Sequence, residues 1–421
     1  MPRLSLDIFG KPPQEQEENT AKRILVIGGT VQGLLLFRAP LLSAMQEKGW
    51  EVYACASNYH GPSIKKLLSK GIRFKSLYGQ RTGTNPFADL LYFSKLVLHI
   101  LSIRPDIIFS YSIKPVIYGS LAGKLCKVPN LFAMIEGLGY TFSQKGWLRK
   151  LVHLLYECSL KHNQSVFFLN PDDEAVFREL GLMPAEQPSL LLNGIGVDIR
   201  SFEITTPPAE PTRFLLVARL LNEKGIVEYA EAARQIRKRY PNTQFDLVGP
   251  LDISHPQSVD PQLLDQWKRD EILEYHGCTD DVRPFLYQCS VFVLPSYYRE
   301  GLPRTLLEAM AAGRAIITTD TPGCRETVRL TEMGKKQKAS EAPVMEGENG
   351  LLVRPRNIPA LVQAIQTLLE NTQKISEMGA ISCDIAEDDY DIEDINATIL
   401  SHIESFQDSD YPEYDDIDFE Q

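Results

Sequence analysis

The stretch PSYYREGLPRTLLEAMAAG, residues 295–313, indicates the fold more clearly than any other part of the chain. It follows a short apolar run at 291–294, passes a glycine–proline turn at 301–303 and continues with apolar residues at helical spacing. This pattern predicts a strand, a loop and a helix over 303–312. Pro303 suits the first helical turn, where its missing N–H group would have no partner in any case.

Two glutamates lie on this stretch, Glu300 in the predicted loop and Glu308 in the second turn of the helix. The unpaired N–H groups and the positive dipole end of a helix start attract phosphate, and nearby carboxylates can accept hydrogen bonds from sugar hydroxyls. A nucleotide-sugar requires such an arrangement. The spacing alone equally fits an ordinary helix that is buried through Leu306, Leu307 and Met310 and carries solvent-facing carboxylates.

Apolar runs alternate with helical patterns along the rest of the chain, which is typical of parallel strands joined by crossover helices. We therefore predict an α/β protein with two doubly wound, Rossmann-like domains that face a cleft. The predicted strands are 23–27, 51–56, 106–109, 130–135, 165–169, 189–192, 213–217, 243–248, 274–276, 291–294 and 315–319.

Composition places the domain boundaries. We predict a flexible N-terminus at 1–20, an N-terminal domain at 21–200, a proline-rich linker at 201–212, a C-terminal domain at 213–385, a closing helix at 386–404 and an acidic, disordered tail at 405–421. Residues 331–350, which include three lysines, are predicted to form a flexible loop.

The composition excludes several classes of protein. Of the 421 residues, 43% are hydrophobic and 24% are charged, as in soluble globular proteins. No apolar run approaches the ~18 to 20 residues that span a bilayer, and the start lacks the pattern of a signal peptide. The seven cysteines have no metal or redox spacing, so we expect a reduced, cytoplasmic setting.

The net charge of −11 is distributed unevenly. Residues 21–200 carry 21 Lys and Arg against 12 Asp and Glu, whereas residues 201–403 carry 21 against 31. A basic first half favours an anionic partner, either a phosphorylated acceptor or a membrane surface. Uneven surface charge without functional meaning is the alternative.

Candidate phosphate ligands follow the first strand of the second domain. Arg219 and Lys224 lie beyond the strand at 213–217, and a helix is predicted to open at Gly225. Arginine can bind a phosphate with two hydrogen bonds and lysine acts as a point charge, so both can stabilise a leaving diphosphate. Two surface cations at a strand end are the plainer alternative.

Glycines at strand ends permit close approach of the backbone to a ligand, and Gly249 is one such candidate. The segment Gly28-Gly29-Thr30-Val-Gln-Gly33 approximates a dinucleotide fingerprint, but Thr30 stands where the second glycine belongs. No acidic residue ends the next strand, where Tyr53-Ala-Cys-Ala56 stands instead. Both departures argue against a nicotinamide enzyme.

Taken in order, these motifs resemble the retaining GT-B glycosyltransferases of family four, over roughly residues 22–400. The motifs are Arg219 with Lys224-Gly225, Gly277 to Asp280, Glu300 with Glu308, and Pro322-Gly-Cys-Arg-Glu326. Finer phrases resemble a bacterial branch that extends undecaprenyl-diphosphate-linked sugars in surface polysaccharide or glycan assembly. These phrases are Gly137-Leu-Gly-Tyr140, Phe168-Leu-Asn-Pro171 and Tyr297-Tyr-Arg-Glu-Gly-Leu-Pro303.

The resemblance implies roles for individual residues. Arg219 and Lys224 would bind the donor diphosphate, and Glu308 would bind the ribose hydroxyls. Glu300 would contact the donor sugar beside the N–H groups of Gly301 and Leu302. The remaining implied positions are a base site at residues 277–279, which include Thr279, and a site for donor phosphates and acceptor at Gly28, Gly29 and Gly33.

One departure concerns catalysis. Many family members carry a histidine after the strand at 130–135, whereas this chain has Glu136 there. Glu136 either faces the reaction centre or is a buried, paired carboxylate, and the sequence leaves both interpretations open. None of the seven histidines suggests a metal cluster, so we expect no metal and no cofactor besides the nucleotide-sugar donor.

The segment Gly146-Trp-Leu-Arg-Lys-Leu-Val-His-Leu-Leu-Tyr156 predicts a basic amphipathic helix of the kind that lies in a lipid interface. Residues 90–103 form a second apolar helix that is too short to span a membrane. Two core-facing helices are the alternative. With the acceptor that the resemblance implies, we expect a cytoplasmic protein attached peripherally to the inner face of the membrane.

The expected activity is transfer of a hexosyl or N-acetylhexosaminyl group from a nucleotide-sugar, UDP-linked by expectation, to a lipid-diphosphate-linked saccharide with retention of configuration. Two other hypotheses remain open, a GT-B sugar-nucleotide epimerase and a catalytically silent, nucleotide-sugar-binding partner of a polysaccharide assembly complex. No nucleic acid is expected as a partner.

Overall fold

The computed structural model describes residues 21–77, 85–138, 146–208 and 210–407. Each half of the chain forms one seven-stranded sheet with helices on both faces. The predicted fold class, two Rossmann-like α/β domains, is confirmed. The predicted flexible N-terminus, residues 139–140 of the family-like phrase and residues 408–421 of the predicted tail lie outside the described residues.

The first sheet is parallel throughout and has the strand order β3-β2-β1-β4-β5-β6-β7. The order reverses between β1 and β4, and ligands of such sheets bind beside the carboxyl ends of the strands at that point. The strands are β1 Arg23–Thr30, β2 Glu51–Ser57, β3 Arg73–Ser76, β4 Ile107–Tyr111, β5 Asn130–Ile135, β6 Ser165–Phe168 and β7 Ser189–Leu191.

Six described helices of the first half of the chain cover this first sheet, and a short turn at Val31–Gly33 and a π-helical turn at Leu34–Arg38 precede them. Because parallel crossovers are right-handed, the three helices that follow β3, β4 and β5 lie side by side on one face. The helices are α1 Ala39–Glu47, α2 Gly61–Ser69, α3 Pro86–Ile103, α4 Ile113–Leu125, α5 Trp147–Leu160 and α6 Pro171–Glu179.

The second sheet has the order β10-β9-β8-β11-β12-β14-β13, and only the pairing of β13 with β14 is antiparallel among its described pairs. Here the order reverses between β8 and β11. The strands are β8 Arg213–Val217, β9 Gln244–Val248, β10 Glu274–Tyr275, β11 Val291–Leu294, β12 Ala315–Thr319, β13 Val344–Glu346 and β14 Gly350–Val353.

Eight further helices complete the described chain. They are α7 Ile226–Arg239, α8 Pro261–Arg269, α9 Arg283–Gln288, α10 Arg304–Ala311, α11 Glu332–Ala339, α12 Ile358–Glu370, α13 Thr372–Tyr390 and α14 Ile392–Ser405. Pro303 is the N-cap of α10 and not part of its first turn. Its missing N–H group fits this flanking position equally well.

The last helix crosses back to the first domain. The buried side chains of Ile395, Ile399 and Ile403 on α14 belong to the core beneath β1 and β4, whereas α13 packs on the second domain. The predicted closing helix at 386–404 is therefore wrong in its start, because residues 386–390 are the end of α13. The predicted tail also starts too early, since Phe406 contacts Phe132 with ring centroids 5.8 Å apart.

The predicted flexible loop at 331–350 is also wrong. Thr331 caps α11, because its hydroxyl accepts a hydrogen bond from Gly334 N–H at 3.0 Å, and β13 then pairs with β14. The three lysines lie on α11. The segment shows little apolar periodicity because it forms an edge strand and a surface helix, each of which buries only a few side chains.

One described helix, α3, has the length and the apolar composition of a helix that could cross a membrane. Only 22% of it is buried in the fold. The sequence interpretation, which excluded a span by the length of residues 90–103, is corrected because the apolar helix extends from Pro86 to Ile103. In the fold, α3 is the crossover between β3 and β4 and packs through its buried residues on the first sheet.

Candidate functional site

Lys224 and Glu300, which are 76 residues apart in sequence, form an ion pair where the order of the second sheet reverses. Their side chains are only 13% and 11% exposed. The Ser296 hydroxyl donates a second hydrogen bond to Glu300 Oε1 at 3.1 Å. Lys224 Nζ also lies 5.2 Å from the centre of the Tyr298 ring. The structure thus brings two predicted site residues together in a sheltered, polar position.

The backbone fixes this pair. Lys224 ends a short helical turn after β8, and the next residue, Gly225, has φ +76°. A Cβ atom at Gly225 would lie 2.2 Å from the Pro295 carbonyl oxygen, so the close approach of the two segments requires glycine. In addition, the Tyr297 and Tyr298 N–H groups donate to the Glu223 carbonyl at 2.9 and 3.0 Å.

Two backbone donors lie next to Glu300. Among the described residues, the N–H groups of Gly301 and Leu302 donate a hydrogen bond to no other protein group. They precede α10, whose N-terminal end carries a partial positive charge. Gly301 and Leu302 are buried in the described structure, and their contact with an anionic donor stays a prediction.

Glu308 lies one turn into α10 with a side chain that is 12% exposed. Burial raises the pKa of Glu308 above its ordinary value, and the nearby Arg304 guanidinium offsets part of that rise. The two side chains form an ion pair, with 2.9 Å between Arg304 Nε and Glu308 Oε1. The arginine was not singled out from the sequence, although its spacing of four residues from Glu308 on one helix is the signal that could have identified it.

Arg219, Gly249 and Thr279 follow three neighbouring strands, β8, β9 and β10. Gly249 has φ +146° and donates to the Gly277 carbonyl at 2.7 Å, which joins two of these strand ends. The Thr279 hydroxyl closes a turn by accepting the Asp281 N–H at 3.1 Å. Arg219 is exposed and makes no ion pair within the described chain, and its contact with the donor diphosphate stays a prediction.

The candidate glycines of the first domain lie at the end of β1 and in the turn that follows it. Gly28 and Gly29 belong to β1, which runs to Thr30 and not only to residue 27. A Cβ atom at Gly28 would lie 2.3 Å from the Tyr111 hydroxyl oxygen, and the Gly33 N–H donates to the Thr30 hydroxyl at 3.0 Å. Their proximity to donor phosphates stays a prediction.

Glu136 is a paired carboxylate with a side chain that is 28% exposed, so it is not fully buried, and its position relative to the reaction centre stays a prediction. Its Oε1 accepts from Arg38 Nη2 at 2.6 Å, and its Oε2 accepts from the Ser112 hydroxyl at 3.0 Å. The Arg38 side chain is only 2% exposed, so Glu136 balances a buried cation. The sequence interpretation missed Arg38 as the partner of Glu136. A charged residue at the end of an otherwise apolar run, Leu34-Leu-Leu-Phe-Arg38, is the signal in the sequence that could have identified it.

The two domains meet at the Glu300 loop. Asp173 of α6 lies 3.4 Å from Arg299, and Asp172 lies 3.0 Å from Arg325. The Asn170 side-chain amide also contacts the loop, because its Nδ2 donates to the Glu300 carbonyl oxygen at 3.1 Å. The site is therefore built from both halves of the chain.

One group of described side chains could hold a metal ion. The potential ligand atoms of Asp246, Glu274 and His276 lie within 4.8 Å of one another, so the histidines do contribute to one such group, contrary to the interpretation of the sequence. His276 Nε2 lies 2.8 Å from Asp246 Oδ1, and Arg213 faces the other carboxylate oxygen at 3.8 Å. The Arg213 guanidinium and the His276 ring therefore already face the Asp246 carboxylate.

Two family descriptions match the chain, "Glycosyl transferase 4-like" over residues 29–170 and "Glycosyl transferases group 1" over residues 211–371. Together they cover more than two thirds of the sequence. The chain is 28% identical over 339 residues to the N,N'-diacetylbacillosaminyl-diphospho-undecaprenol alpha-1,3-N-acetylgalactosaminyltransferase of Campylobacter jejuni, covering 76% of this chain and 87% of that relative.

A second relative is the UDP-Gal:alpha-D-GlcNAc-diphosphoundecaprenol alpha-1,3-galactosyltransferase of Escherichia coli, 27% identical over 52% of this chain and 58% of its own length. Among solved structures, the Anabaena protein HepE in complex with UDP and glucose superposes with a TM-score of 0.71. It is 18% identical, and the alignment covers 91% of this chain and 100% of that one. At this identity, the likeness concerns the fold.

Proposed function

The chain belongs to the group 1 glycosyltransferases with the GT-B fold, and on that premise we propose the reaction that it catalyses. It transfers a hexosyl or N-acetylhexosaminyl group from a UDP-sugar to a saccharide on undecaprenyl diphosphate, with retention of configuration and without a metal ion. The family resemblance that the sequence motifs carry is confirmed; the donor, the acceptor and the stereochemistry are the proposal.

The observation that carries the proposal is the sheltered Lys224–Glu300 pair beside the unused N–H groups of Gly301 and Leu302. A nucleotide-sugar has a diphosphate, which suits the cation and the N–H groups, and sugar hydroxyls, which suit a carboxylate. Glu308 supplies a second carboxylate on the same helix end for the ribose. The Glu300 and Glu308 carboxylates would repel a free anion. They suit a ligand that has hydroxyl groups on either side of its phosphates.

The transfer step follows from these groups. The bond between the anomeric carbon and the diphosphate oxygen breaks, and Lys224 and Arg219 stabilise the negative charge that develops on the leaving UDP. The acceptor hydroxyl attacks the same face of the sugar and passes its proton to the departing phosphate oxygen, which retains the configuration. Glu136 takes no proton in this scheme, because it is held by Arg38 and Ser112.

The acceptor is proposed from the relatives, two of which carry diphospho-undecaprenol in their names. An acceptor of this kind is held in a membrane, and the first domain has a surface that fits one. Five large apolar side chains on α3 are between 56% and 80% exposed: Phe87, Leu90, Leu91, Leu98 and Leu101. Trp147 on α5 is 72% exposed. We therefore propose that α3 and α5 hold the protein at the inner face of the membrane.

Incubation of the purified protein with a panel of UDP-hexoses and UDP-N-acetylhexosamines tests the proposal, with and without undecaprenyl-diphosphate-linked N-acetylhexosamine. Release of UDP only when the acceptor is present supports transfer, and NMR of the new linkage gives its configuration. The activity should persist in EDTA. An isomerised donor would instead indicate an epimerase, and binding of UDP-sugar without turnover would indicate a silent binding partner.

A further inference from the structure

Asn170 connects the first domain to the segment that carries Glu300. Its Nδ2 donates to the Glu300 carbonyl at 3.1 Å and to the Gly301 carbonyl at 2.9 Å. Asn170 is only 1% exposed, and it is separated from these partners by 130 residues of sequence. One side-chain amide of the N-terminal domain therefore binds two successive peptide groups of the C-terminal domain.

Glycines on the other sides of the segment leave no room for it to shift. A Cβ atom at Gly137 of the first domain would lie 2.6 Å from Gly301 N, and one at Gly323 of the second domain would lie 2.7 Å from both the Glu300 and Gly301 carbonyl oxygens. Gly301 itself faces the Glu136 carbonyl, since a Cβ there would lie 2.5 Å from that oxygen. The segment is thus enclosed by both domains.

The two ends of the Asn170 side chain have different partners. Its Oδ1 accepts the Asp173 N–H at 2.8 Å and so caps α6 within the first domain. Its Nδ2 contacts Asp173 Oδ2 at 3.0 Å as well as the two carbonyl groups of the second domain. A cap requires only the oxygen, so the amide nitrogen has a task that helix capping does not explain.

We propose that Asn170 is a positioning residue for sugar transfer: its amide holds the Glu300–Gly301 segment so that Glu300 and the Gly301 and Leu302 N–H groups face the donor only while the domains are docked. This inference rests on the proposed function. If Asn170 has this role, the donor site has its correct geometry only when the first domain, which binds the acceptor, is in contact with it. Contact between the domains would then reduce hydrolysis of the donor by water when the protein is open.

The variant Asn170→Ser tests the proposal, because serine keeps an oxygen that can cap α6 and removes the amide donor. We expect kcat for transfer to fall by about tenfold to a hundredfold, since small misplacements of reacting groups have effects of that order. The Kd for UDP should change by a smaller factor than kcat, because the predicted ligands Arg219, Lys224 and Glu308 lie outside this segment. Amide hydrogen exchange of residues 299–303 should become faster.

Asn357→Ser is the matched control. Asn357 caps α12 of the second domain in the same manner, with Oδ1 accepting the Ala360 N–H at 2.9 Å. This variant should keep the kcat and the exchange rate of the loop. Asn170→Asp is the second test variant, since it retains size and the capping oxygen while replacing the amide donor by an acceptor, and it should lose at least as much activity.

Wild-type kcat and wild-type loop exchange in both Asn170 variants would overturn the positioning role. A uniform loss of stability that Asn357→Ser shares would do the same, because it would reduce Asn170 to a helix cap. If the wild-type protein transfers no sugar from any donor, the proposed function fails; the exchange comparison of residues 299–303 then still decides whether Asn170 holds the loop.

Discussion

Arg304 links Glu308 to the opposite domain. Its Nε lies 2.9 Å from Glu308 Oε1, while its Nη1 donates to the Leu36 carbonyl of the first domain. The guanidinium carbon also lies 5.2 Å from the centre of the Phe37 ring. Arg304 therefore contacts both the first domain and the Glu308 carboxylate, which the proposed function assigns to the ribose.

Substitution of Glu308 tests its assignment to the ribose. Glu308→Ala should weaken UDP binding by about tenfold or more, because hydrogen bonds to a charged acceptor contribute about 1.5–3 kcal/mol. Isothermal titration calorimetry of UDP measures the change. Glu332→Ala, at a carboxylate that is 83% exposed on α11, is the control and should leave the affinity as in the wild type. Unchanged affinity in Glu308→Ala would show that the residue does not contact the nucleotide.

Thermal stability should distinguish the two proposed diphosphate ligands, Arg219 and Lys224. Arg219→Ala and Lys224→Ala should each lower kcat by about a hundredfold, the usual effect of losing a preorganised group that stabilises the transition state. Only Lys224→Ala should also lower Tm, because it leaves the Glu300 carboxylate, which is 11% exposed, without its cation. Arg219 is exposed, so its removal leaves no buried charge.

Kinetics and thermal unfolding of both variants check this prediction, with the exposed Lys238→Ala on α7 as the control for loss of a surface cation. Full activity of Arg219→Ala would reject its contact with the diphosphate, whatever Lys224→Ala does. An equal loss of Tm in both variants would contradict the different burial of the two side chains.

The sequence predicts the sheets and the donor side of the site because these depend on local pattern. Parallel strands appear as apolar runs, and Lys224 and Glu300 each follow such a run, so both must reach the same edge of one sheet. The strand order brings them together between β8 and β11. The glycines that permit this approach, Gly225 above all, are visible in the sequence, although their contacts are not.

Long-range pairing accounts for what the sequence does not predict. The state of Glu136 depends on Arg38, which lies 98 residues earlier. The local sequence does not show that α14 packs on the first domain, because an amphipathic helix has the same apolar period on either domain. Asn170 matched a family phrase, but its contact with the Glu300 loop crosses 130 residues. Such contacts follow from the docking of the domains, which periodicity does not encode.

Asp173 should make stability depend on pH. Burial raises the pKa of Asp173 to about 6, an effect that Asn170 and Arg299 partly oppose and Asp172 reinforces. Because the folded protein binds this proton more tightly than the unfolded chain, its stabilising contribution is complete below about pH 4 and lost as pH rises through about 6. Asp173→Asn should remove this loss.

Thermal and urea unfolding of the wild type and Asp173→Asn at pH 4 to 8 measure the effect. A shift of about two pKa units corresponds to about 3 kcal/mol, so the wild type should lose up to that amount relative to the variant over this range. Parallel stability curves for the two proteins would show that Asp173 titrates equally in the folded and unfolded states.

Gly137 and Gly146 form a matched pair. Their φ angles are +111° and +112°, so alanine meets an unfavourable φ at both positions. A Cβ atom at Gly146 would meet nothing within 4 Å, whereas one at Gly137 would lie 2.6 Å from Gly301 N. Gly137→Ala should therefore lower kcat by about tenfold or more through displacement of the donor loop, while Gly146→Ala keeps its activity. Equal kcat in the two variants would show that the contact between Gly137 and Gly301 is not needed for transfer.

The apolar surface of α3 gives the last prediction. Leu91 and Leu98 are 68% and 66% exposed and lie two turns apart on one face of the helix. The double variant Leu91→Gln/Leu98→Gln should weaken binding to vesicles of phosphatidylglycerol and phosphatidylcholine by about tenfold or more, because a buried leucine contributes about 1.5–3 kcal/mol. Sedimentation with vesicles measures the bound fraction. Ile253→Gln, at an apolar residue that is 75% exposed on the second domain, is the control and should bind as the wild type does. If the double variant cosediments like the wild type, α3 is not the membrane contact.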